Sequence, residues 1–353
     1  MDTCTSPPAH VPPEPCFQRA RTHDAQTQAA SLSSWQQHYE QLGAGRFEGL
    51  LEDLRFDQLQ VFRETTNRSV LQDGSARSGH VTVGLADFEG GRASFCGHQI
   101  DPDTPIGIQA DVPFQLVTAP RMTLVGISIP SATLQALAAA VDGPDTTDAN
   151  DSAWQVPRSC VLRALGPRRL ELQRLTSSAL ALGAQAAVVL GTAAARRTLG
   201  LALADAMLQC FRPEHVVADL PTCASSRQRI VRLAREYMQA HAESVITVPD
   251  LCEAAHTSRR ALQYAFEDLL QVSPITYLRC MRLNRARRDL LRQARQGGGA
   301  GGGGVGDVAA RWGFWHLSRF AGEYRALFGE LPSATLGQSG CCLSVEMDNP
   351  GQR

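Results

Sequence analysis

Two clusters of polar side chains in the C-terminal third of the sequence carry groups that can hydrogen-bond to the edges of DNA bases. They lie where amphipathic helical patterns begin, at Arg259, Arg260, Gln263, Tyr264, His316, Ser318 and Arg319. An arginine can donate two hydrogen bonds to one guanine, and a glutamine can form a matching pair of bonds with adenine. We therefore predict that these seven side chains contact base pairs.

The apolar residues around each cluster predict a pair of helices. In the first pair, Leu251 on a short helix would face Leu262 and Phe266 on the next helix across a tight turn. In the second pair, Val308 would face Phe320 across a similar turn. A short helix, a tight turn and a second helix with exposed polar residues form a helix-turn-helix unit, whose second helix enters a major groove. One such match is common, whereas two in tandem indicate a DNA-binding domain more specifically.

Arginine supplies all 34 basic residues of the 353-residue chain, and lysine is absent. This absence excludes P-loop, Schiff-base and kinase chemistry that depends on a lysine. The net charge of −1 hides a split, because residues 225–338 carry 16 arginines against 10 acidic residues, and residues 1–224 carry 17 against 23. A basic module beside an acidic one indicates that the C-terminal part meets a polyanion.

A basic helical pattern over 279–295 joins the two helix-turn-helix units. It carries seven arginines and one acidic residue, Asp289. These arginines would contact phosphates, brace the two units or form a solvated face, and the sequence leaves these alternatives open. The glycine run 297–306 follows and predicts a flexible connection. This run is either a tolerated spacer or a link that loosens the second unit.

Composition and patterning divide the chain into five parts. We predict a flexible arm over 1–30, a ligand-sensing and dimerisation domain over 31–211, a linker over 212–224, the DNA-binding domain over 225–338 and a tail over 339–353. The sequence has no apolar run long enough to span a membrane, and its first residues lack the apolar core of a secretory signal. We therefore predict a cytoplasmic protein without a membrane partner.

Short segments rich in Val, Ile, Leu and Phe predict strands in the N-terminal half, at 50–56, 59–63, 81–88, 93–95, 114–118 and 122–129. Frequent turn signals between them are typical of a β-sandwich or barrel. Helical patterns lie at 34–42, 168–185 and 193–211, and the two long ones would form a dimer surface or cover the sheet. The predicted fold class is α+β, with a cupin-like β-barrel sensor domain before an all-α domain that holds two helix-turn-helix units.

The C-terminal sequence resembles the signature of the AraC/XylS family of transcription regulators. The resemblance is carried by Gly313-Phe314-Trp315-His316-Leu317-Ser318-Arg319-Phe320, by Glu323-Tyr324-Arg325-Ala326-Leu327-Phe328-Gly329 and by Ser258-Arg259-Arg260-Ala261-Leu262-Gln263. With lower specificity, 34–39 and 59–65 resemble the branch that regulates the ethanolamine operon. The resemblance implies an activator whose partners are promoter DNA, RNA polymerase, a small-molecule effector and a second copy in a homodimer. The branch implies ethanolamine and adenosylcobalamin as the effectors.

A small cation such as ethanolamine would suit a carboxylate beside an aromatic face. Glu64 and Phe62 are the candidate ligand-binding residues, although strand pairing and a surface ion pair would also explain them. The same architecture would equally suit another amine or an aromatic metabolite. The sequence offers no wide apolar groove or well-placed histidine for contact with cobalamin.

Two kinds of enzyme are the alternatives to a regulator. A metal-dependent cupin needs an H-x-H cluster, whereas His80 and His98 stand apart, so we expect no metal site. An enzyme fused to a DNA-binding module would need an activated cysteine. The ten cysteines lack C-x-x-C spacing, as is typical of reduced thiols. We therefore predict no catalytic activity and no required cofactor.

Overall fold

The computed structural model contains a sheet-rich N-terminal region and a helical C-terminal region. It describes residues 15–32, 34–102, 104–142, 159–162, 166–185, 187–211, 216–219, 226–296 and 303–338. The predicted tail over 339–353 and most of the glycine run lie outside these ranges. Within them, no helix is both long and apolar enough to cross a membrane.

The strands of the N-terminal region form two antiparallel sheets. The strands are β1 (Cys16–Thr22), β2 (Gln36–Gln41), β3 (Gly49–Phe56), β4 (Leu59–Thr66), β5 (Val70–Ser75), β6 (His80–Phe88), β7 (Ala93–Phe95), β8 (His98–Ile100), β9 (Pro105–Gln109), β10 (Pro113–Val117), β11 (Met122–Pro130), β12 (Ser159–Leu162) and β13 (Val216–Asp219). The larger sheet has the order β1-β3-β4-β11-β6-β9-β12-β13, and the smaller has the order β2-β5-β10-β7-β8. Among the described residues neither sheet closes on itself, so a closed barrel is not confirmed.

The hairpin between β3 and β4 shows how local sequence fixes the strand register. Phe56 pairs with Leu59, and the two residues between them, Asp57 and Gln58, have φ values of 44° and 69°. Two consecutive residues with positive φ form the type I′ turn, whose twist matches that of the flanking strands. Because side chains alternate along a strand, this register places Glu64 on a defined face of β4.

Helices cover one face of the larger sheet. The helices of the N-terminal region are α1 (Ala25–Ser31), α2 (Ser131–Asp142), α3 (Pro167–Gln185), α4 (Ala187–Leu190) and α5 (Ala193–Cys210). Leu172 of α3 and Leu203 of α5 belong to the same buried cluster as Leu54, Val61 and Ile127 of the sheet. The two long helices predicted from sequence are therefore present, and their buried faces cover the sheet.

The C-terminal region packs its helices around one apolar core. They are α6 (Ser226–Ala240), α7 (Val248–Ala254), α8 (Arg259–Leu270), α9 (Pro274–Arg295), α10 (Val305–Arg311), α11 (Leu317–Phe328) and α12 (Pro332–Leu336). The core contains all five residues that the sequence places at the helix contacts, Leu251, Leu262, Phe266, Val308 and Phe320. The basic pattern over 279–295 lies within α9.

Three sequence predictions are wrong in the N-terminal region. Residues 34–42 do not form a helix, because β2 pairs along its whole length with β5 and buries Tyr39. Cross-strand bonding and burial outweigh the weak helical pattern of a short segment. Residues 16–22 of the predicted arm form β1 and residues 25–30 lie in α1, and Val216–Asp219 of the predicted linker form β13.

Candidate functional site

The first helix-turn-helix unit consists of α7 and α8. Thr247 and Asp250 cap α7 reciprocally, since the Thr247 amide donates a hydrogen bond to Asp250 Oδ2 at 2.7 Å. His256 lies in the turn with a φ of 49°. Ser258 caps α8, because its Oγ accepts a hydrogen bond from the Ala261 amide at 3.2 Å. Such caps satisfy backbone amides at a helix start, so they fix where the first turn of α8 lies.

The four predicted contact residues of α8 lie on its outer side. Arg259, Arg260 and Tyr264 are exposed, and Gln263 is half-buried. The guanidinium carbon of Arg260 lies 5.5 Å from the centroid of the Tyr264 ring. Gln263 donates a hydrogen bond to Glu267. The structure therefore brings these side chains to one surface, and their contact with DNA stays a prediction.

The second helix-turn-helix unit consists of α10 and α11. Gly313 has a φ of 78° in the turn, a backbone conformation that residues with a Cβ atom rarely adopt. His316, Ser318 and Arg319 are exposed at the start of α11. Arg319 Nε lies 2.9 Å from Glu323 Oε1, so the free protein holds this guanidinium along its own helix.

Trp315 is an exposed residue that lies outside the seven predicted DNA contacts. Its side chain is 72% exposed in the turn before α11, and that of Leu317 is 54% exposed. Both flank the part of α11 that carries Arg319, and Trp315 lines a groove of about 310 Å³ together with Arg279 and Arg319. Exposed apolar side chains beside polar groups mark contact surfaces. The sequence feature that could have identified Trp315 is its position in the turn immediately before α11.

The arginines of α9 have different roles. Arg287 is buried, and its guanidinium lies 2.9 Å from Asp24 Oδ2 and 2.6 Å from Glu330 Oε1. Arg282 Nε donates a hydrogen bond to the Ala242 carbonyl at 3.0 Å. These two arginines brace packed elements. The side chain of Arg292 is 65% exposed, so the basic helix combines bracing with a charged surface.

Phe62 and Glu64 both line an interior cavity between the two sheets. The cavity has a volume of about 40 Å³, and its lining includes Trp35 and Tyr39. Glu64 Oε2 accepts hydrogen bonds from the Tyr39 hydroxyl and the Gln72 amide, each at 3.1 Å. Burial raises the pKa of Glu64, because a low-dielectric site disfavours the carboxylate. A surface ion pair therefore does not explain Glu64.

Polar side chains connect the two regions of the protein. Arg235 of α6 donates to Asp73 of β5 at 3.2 Å, and its Nε donates to the Tyr277 hydroxyl at 2.9 Å. That hydroxyl donates to Glu40 Oε2 at 2.8 Å. Burial alone would raise the pKa of Glu40, but the hydrogen bond from His38 and the charge of Arg235 outweigh it and lower that pKa.

An amide pair extends this contact at the edge of the smaller sheet. The Gln41 amide donates to Asn284 Oδ1 at 3.0 Å, and Asn284 Nδ2 donates to the Gln41 carbonyl at 2.9 Å. Asn284 thus bonds both backbone groups of one residue in β2, as a neighbouring strand would. The N-terminal sheet and α9 are in direct contact at this point.

Buried cysteines do not supply an activated nucleophile. Burial raises the pKa values of Cys210 and Cys280 to about 12, and it also raises the pKa of Cys96. A thiol with a raised pKa is protonated at neutral pH and is a weak nucleophile. These three residues therefore do not meet the requirement of an enzyme fused to a DNA-binding module.

Comparison with known proteins shows similarity to transcription regulators. Residues 251–338 match the helix-turn-helix domain family. The chain is 42% identical over 107 residues, or 30% of its length, to a probable thc operon regulatory protein of Rhodococcus erythropolis. It is 33% identical over 101 residues, or 29% of its length, to XylDLEGF operon transcriptional activator 2 of Pseudomonas putida. It is also 33% identical to a probable AraC family transcriptional regulator of Rhodopseudomonas palustris whose crystal structure is known. That match covers 31% of this chain and 96% of the other, with a TM-score of 0.28.

The chain spans 31% of the length of the Rhodococcus relative and 61% of that of the Pseudomonas relative. Neither relative is named for ethanolamine, so these comparisons do not support the ethanolamine branch. The matched range contains α8, α10 and α11, whose exposed polar residues and buried apolar partners are described above. The C-terminal region of this chain is therefore a helix-turn-helix domain that is similar in sequence to transcription regulators.

Proposed function

We propose that this chain is a transcription regulator that binds promoter DNA through α8 and α11. The proposal rests on two recognition helices in one domain, which expose Arg260 and Arg319 near their first turns. One shared core holds both units, so they can enter successive major grooves, roughly 34 Å apart along the duplex. Relatives named as operon regulators support this function.

Selection from sheared genomic DNA tests the proposal. The full chain is mixed with the fragments, and those it retains are sequenced; we expect a recurring motif with two half-sites. The double variant Arg260→Ala, Arg319→Ala should lose the motif. Arg232→Ala is the matched control, because Arg232 is an exposed arginine of α6 that pairs with Glu236 outside both recognition helices. Recovery of random fragments by the unmodified chain would contradict the proposal.

We further propose that a small effector binds in the interior cavity beside Phe62 and Glu64. The cavity supplies aromatic rings, since Trp35 and Phe62 lie edge to face with centroids 5.5 Å apart. It also supplies the Glu64 carboxyl, which an ammonium group would keep ionised. A small amine such as ethanolamine fits this chemistry. A compact aromatic metabolite would need the lining side chains to move apart, because a benzene-sized ligand occupies a cavity of about 150 Å³ and this one has about 40 Å³. Calorimetry of the full chain with ethanolamine tests the amine; no heat, or equal heat with Glu64→Gln, would exclude it.

Adenosylcobalamin does not fit the same cavity. A corrinoid is far larger than a space of about 40 Å³ lined by close-packed side chains. We therefore assign it no step in the response.

An effector shifts a regulator only if it binds two states with different affinity. We propose that the contact between Arg235 and Asp73 belongs to one of these states, because it joins the sheet beside the cavity to the DNA-binding domain. RNA polymerase and a second copy of the chain are further proposed partners. Sedimentation of the chain with and without promoter DNA tests the homodimer, and a transcription assay with purified polymerase tests activation.

A further inference from the structure

A polar cleft lies apart from both the interior cavity beside Glu64 and the recognition helices α8 and α11. It has a volume of about 370 Å³ between β2 and α9, and Gln239 and Trp312 complete its wall. The basic side of this cleft is formed by Arg285, Arg288 and Arg292 of α9. These residues are spaced by three and four positions, which places them on one face of a helix. We call this group the basic cleft.

The acidic residues of the cleft are engaged by other groups. Glu40 accepts a hydrogen bond from the Tyr277 hydroxyl at 2.8 Å. Asp289 Oδ2 accepts from Trp312 Nε1 at 2.9 Å and lies 3.3 Å from Arg311. Asp289 Oδ1 also lies 3.3 Å from Nη1 of Arg292, one of the cleft arginines. With three arginines against two carboxylates, the lining of the cleft remains net positive.

Arg285 and Arg288 have weak acceptors in the cleft. Arg288 Nη1 lies 3.4 and 3.5 Å from the two ring nitrogens of His38, which is long for a hydrogen bond. Arg285 Nη1 lies 3.4 Å from the Gln239 carbonyl, and its guanidinium stacks over Trp312 at 5.4 Å. Burial lowers the pKa of Arg288. The charge of Glu40 opposes this shift, and the like charge of Arg285 adds to it. An anion placed between Arg285 and Arg288 would accept hydrogen bonds from both guanidinium groups.

We propose that the basic cleft binds a small organic oxyanion, a metabolite that carries a phosphate or carboxylate group. Planar guanidinium groups match both of these anions through paired hydrogen bonds. A volume of about 370 Å³ accommodates more than an inorganic ion. His38 of the N-terminal sheet closes one side of the cleft, so a bound anion would bridge the sensing and DNA-binding regions. This site is separate from the cavity beside Glu64 and does not depend on the identity of that effector.

Thermal melting of the full chain in inorganic phosphate tests the proposal. Phosphate is titrated against chloride at equal ionic strength, and we expect a saturable rise in Tm with phosphate. Arg288→Gln and Arg285→Gln should each weaken the apparent affinity by roughly tenfold or more. Arg232→Gln alters an exposed arginine of α6, and it should change the apparent affinity for phosphate by less than about twofold. If Arg288→Gln does not fold, Arg292→Gln still tests the cleft, since its side chain is 65% exposed.

Three results would overturn the proposal. One is an equal effect of phosphate and chloride on Tm, and another is an affinity that the cleft variants leave unchanged. The third is an effect of Arg288→Gln on DNA binding. If this variant lowers DNA affinity without added phosphate and reduces the slope of log affinity against log salt concentration by about one, the cleft contacts DNA phosphates and not a small anion. Arg319→Gln should keep the phosphate response, because Arg319 lies on α11 outside the cleft.

Discussion

Arg235 of α6 and Asp73 of the smaller sheet form an ion pair across the contact between the two regions. The arginine side chain is 10% exposed and the aspartate 30% exposed, so water screens the pair only in part. Arg235 also bonds to Tyr277, which in turn bonds to Glu40. Removal of one partner therefore affects a connected set of groups in both regions.

Asp73→Asn should destabilise the protein by about 1–2 kcal/mol, a value reduced from that of a fully buried pair because Asp73 is partly exposed. Urea unfolding of the full chain measures the effect. Asp268→Asn is the matched control, since Asp268 pairs with Arg227 where both side chains are exposed at 37% and 61%, and its cost should stay below about 0.5 kcal/mol. Equal losses of unfolding free energy in the two variants would show that the pair between Arg235 and Asp73 stabilises the protein no more than an exposed pair does.

Arg260→Ala and Arg319→Ala should each weaken binding to the selected promoter fragment by about 1–3 kcal/mol, or roughly 5- to 150-fold. Both side chains are exposed, and the contacts of Arg260 with Tyr264 and of Arg319 with Glu323 lie within their own helices, so the melting temperature should hardly change. Footprinting and fluorescence anisotropy measure the loss. Unchanged footprints in both variants would show that these helices do not read the bases.

The stability of the protein should depend on the ionisation of Glu64. Burial raises the folded-state pKa of this carboxyl above its ordinary value of 4.5, so the folded state holds the proton more tightly than the unfolded state. Its contribution to stability is fully present below about pH 4.5 and is lost as the pH rises through the folded-state pKa. Glu64→Gln keeps an acceptor for Tyr39 but does not titrate. The variant should therefore gain stability over the unmodified chain as the pH rises.

Urea midpoints of both proteins between about pH 4 and pH 8 measure this difference. A difference in urea midpoint between Glu64→Gln and the unmodified chain that does not change with pH would contradict a raised pKa for Glu64. Asp57→Asn, a change at a carboxylate that is 49% exposed, gives the matched control at the hairpin turn next to β4.

Gly126→Ala should disturb the interior cavity. A Cβ atom at this position of β11 would overlap the ring of Phe62, which lines the cavity. Forcing that ring aside should cost about 1–3 kcal/mol and change effector affinity. Gly322→Ala on α11 is the control, because a Cβ there would meet no atom within 4 Å; it should stabilise the helix by about 1 kcal/mol. Equal urea midpoints for Gly126→Ala and the unmodified chain would show that Phe62 moves without cost.

The helices of the C-terminal region are well predicted from the sequence because their signals are local. Long amphipathic patterns, the Ser258 cap and the turn glycine Gly313 each specify a helix or its boundary within a few residues. The same holds for the long strands of the larger sheet. At 34–42 the local signal is misleading, since β2 is a strand only because β5 lies beside it.

Contacts between the regions could not be predicted from sequence spacing. Arg235 and Asp73 lie 162 positions apart, and Arg287 and Asp24 lie 263 apart. Such pairs depend on how the two regions pack, which no local pattern encodes. For the same reason, the sequence leaves the bracing role of Arg287 as one alternative among three. Glu64 and Phe62 are identifiable as a carboxylate near a ring, but their burial depends on the second sheet.

The amide pair between Asn284 and Gln41 has a consequence for solubility. β2 is the outermost strand of its sheet, and an uncovered outer strand is a template on which other chains can add and aggregate. Asn284 occupies two of the backbone groups through which such addition would begin. Separation of α9 from the sheet would free the two backbone groups of Gln41, although Gln26 of α1 would still accept a hydrogen bond from the Tyr39 amide at 3.2 Å. The C-terminal region therefore shields the edge of the N-terminal sheet from self-association for as long as the two remain in contact.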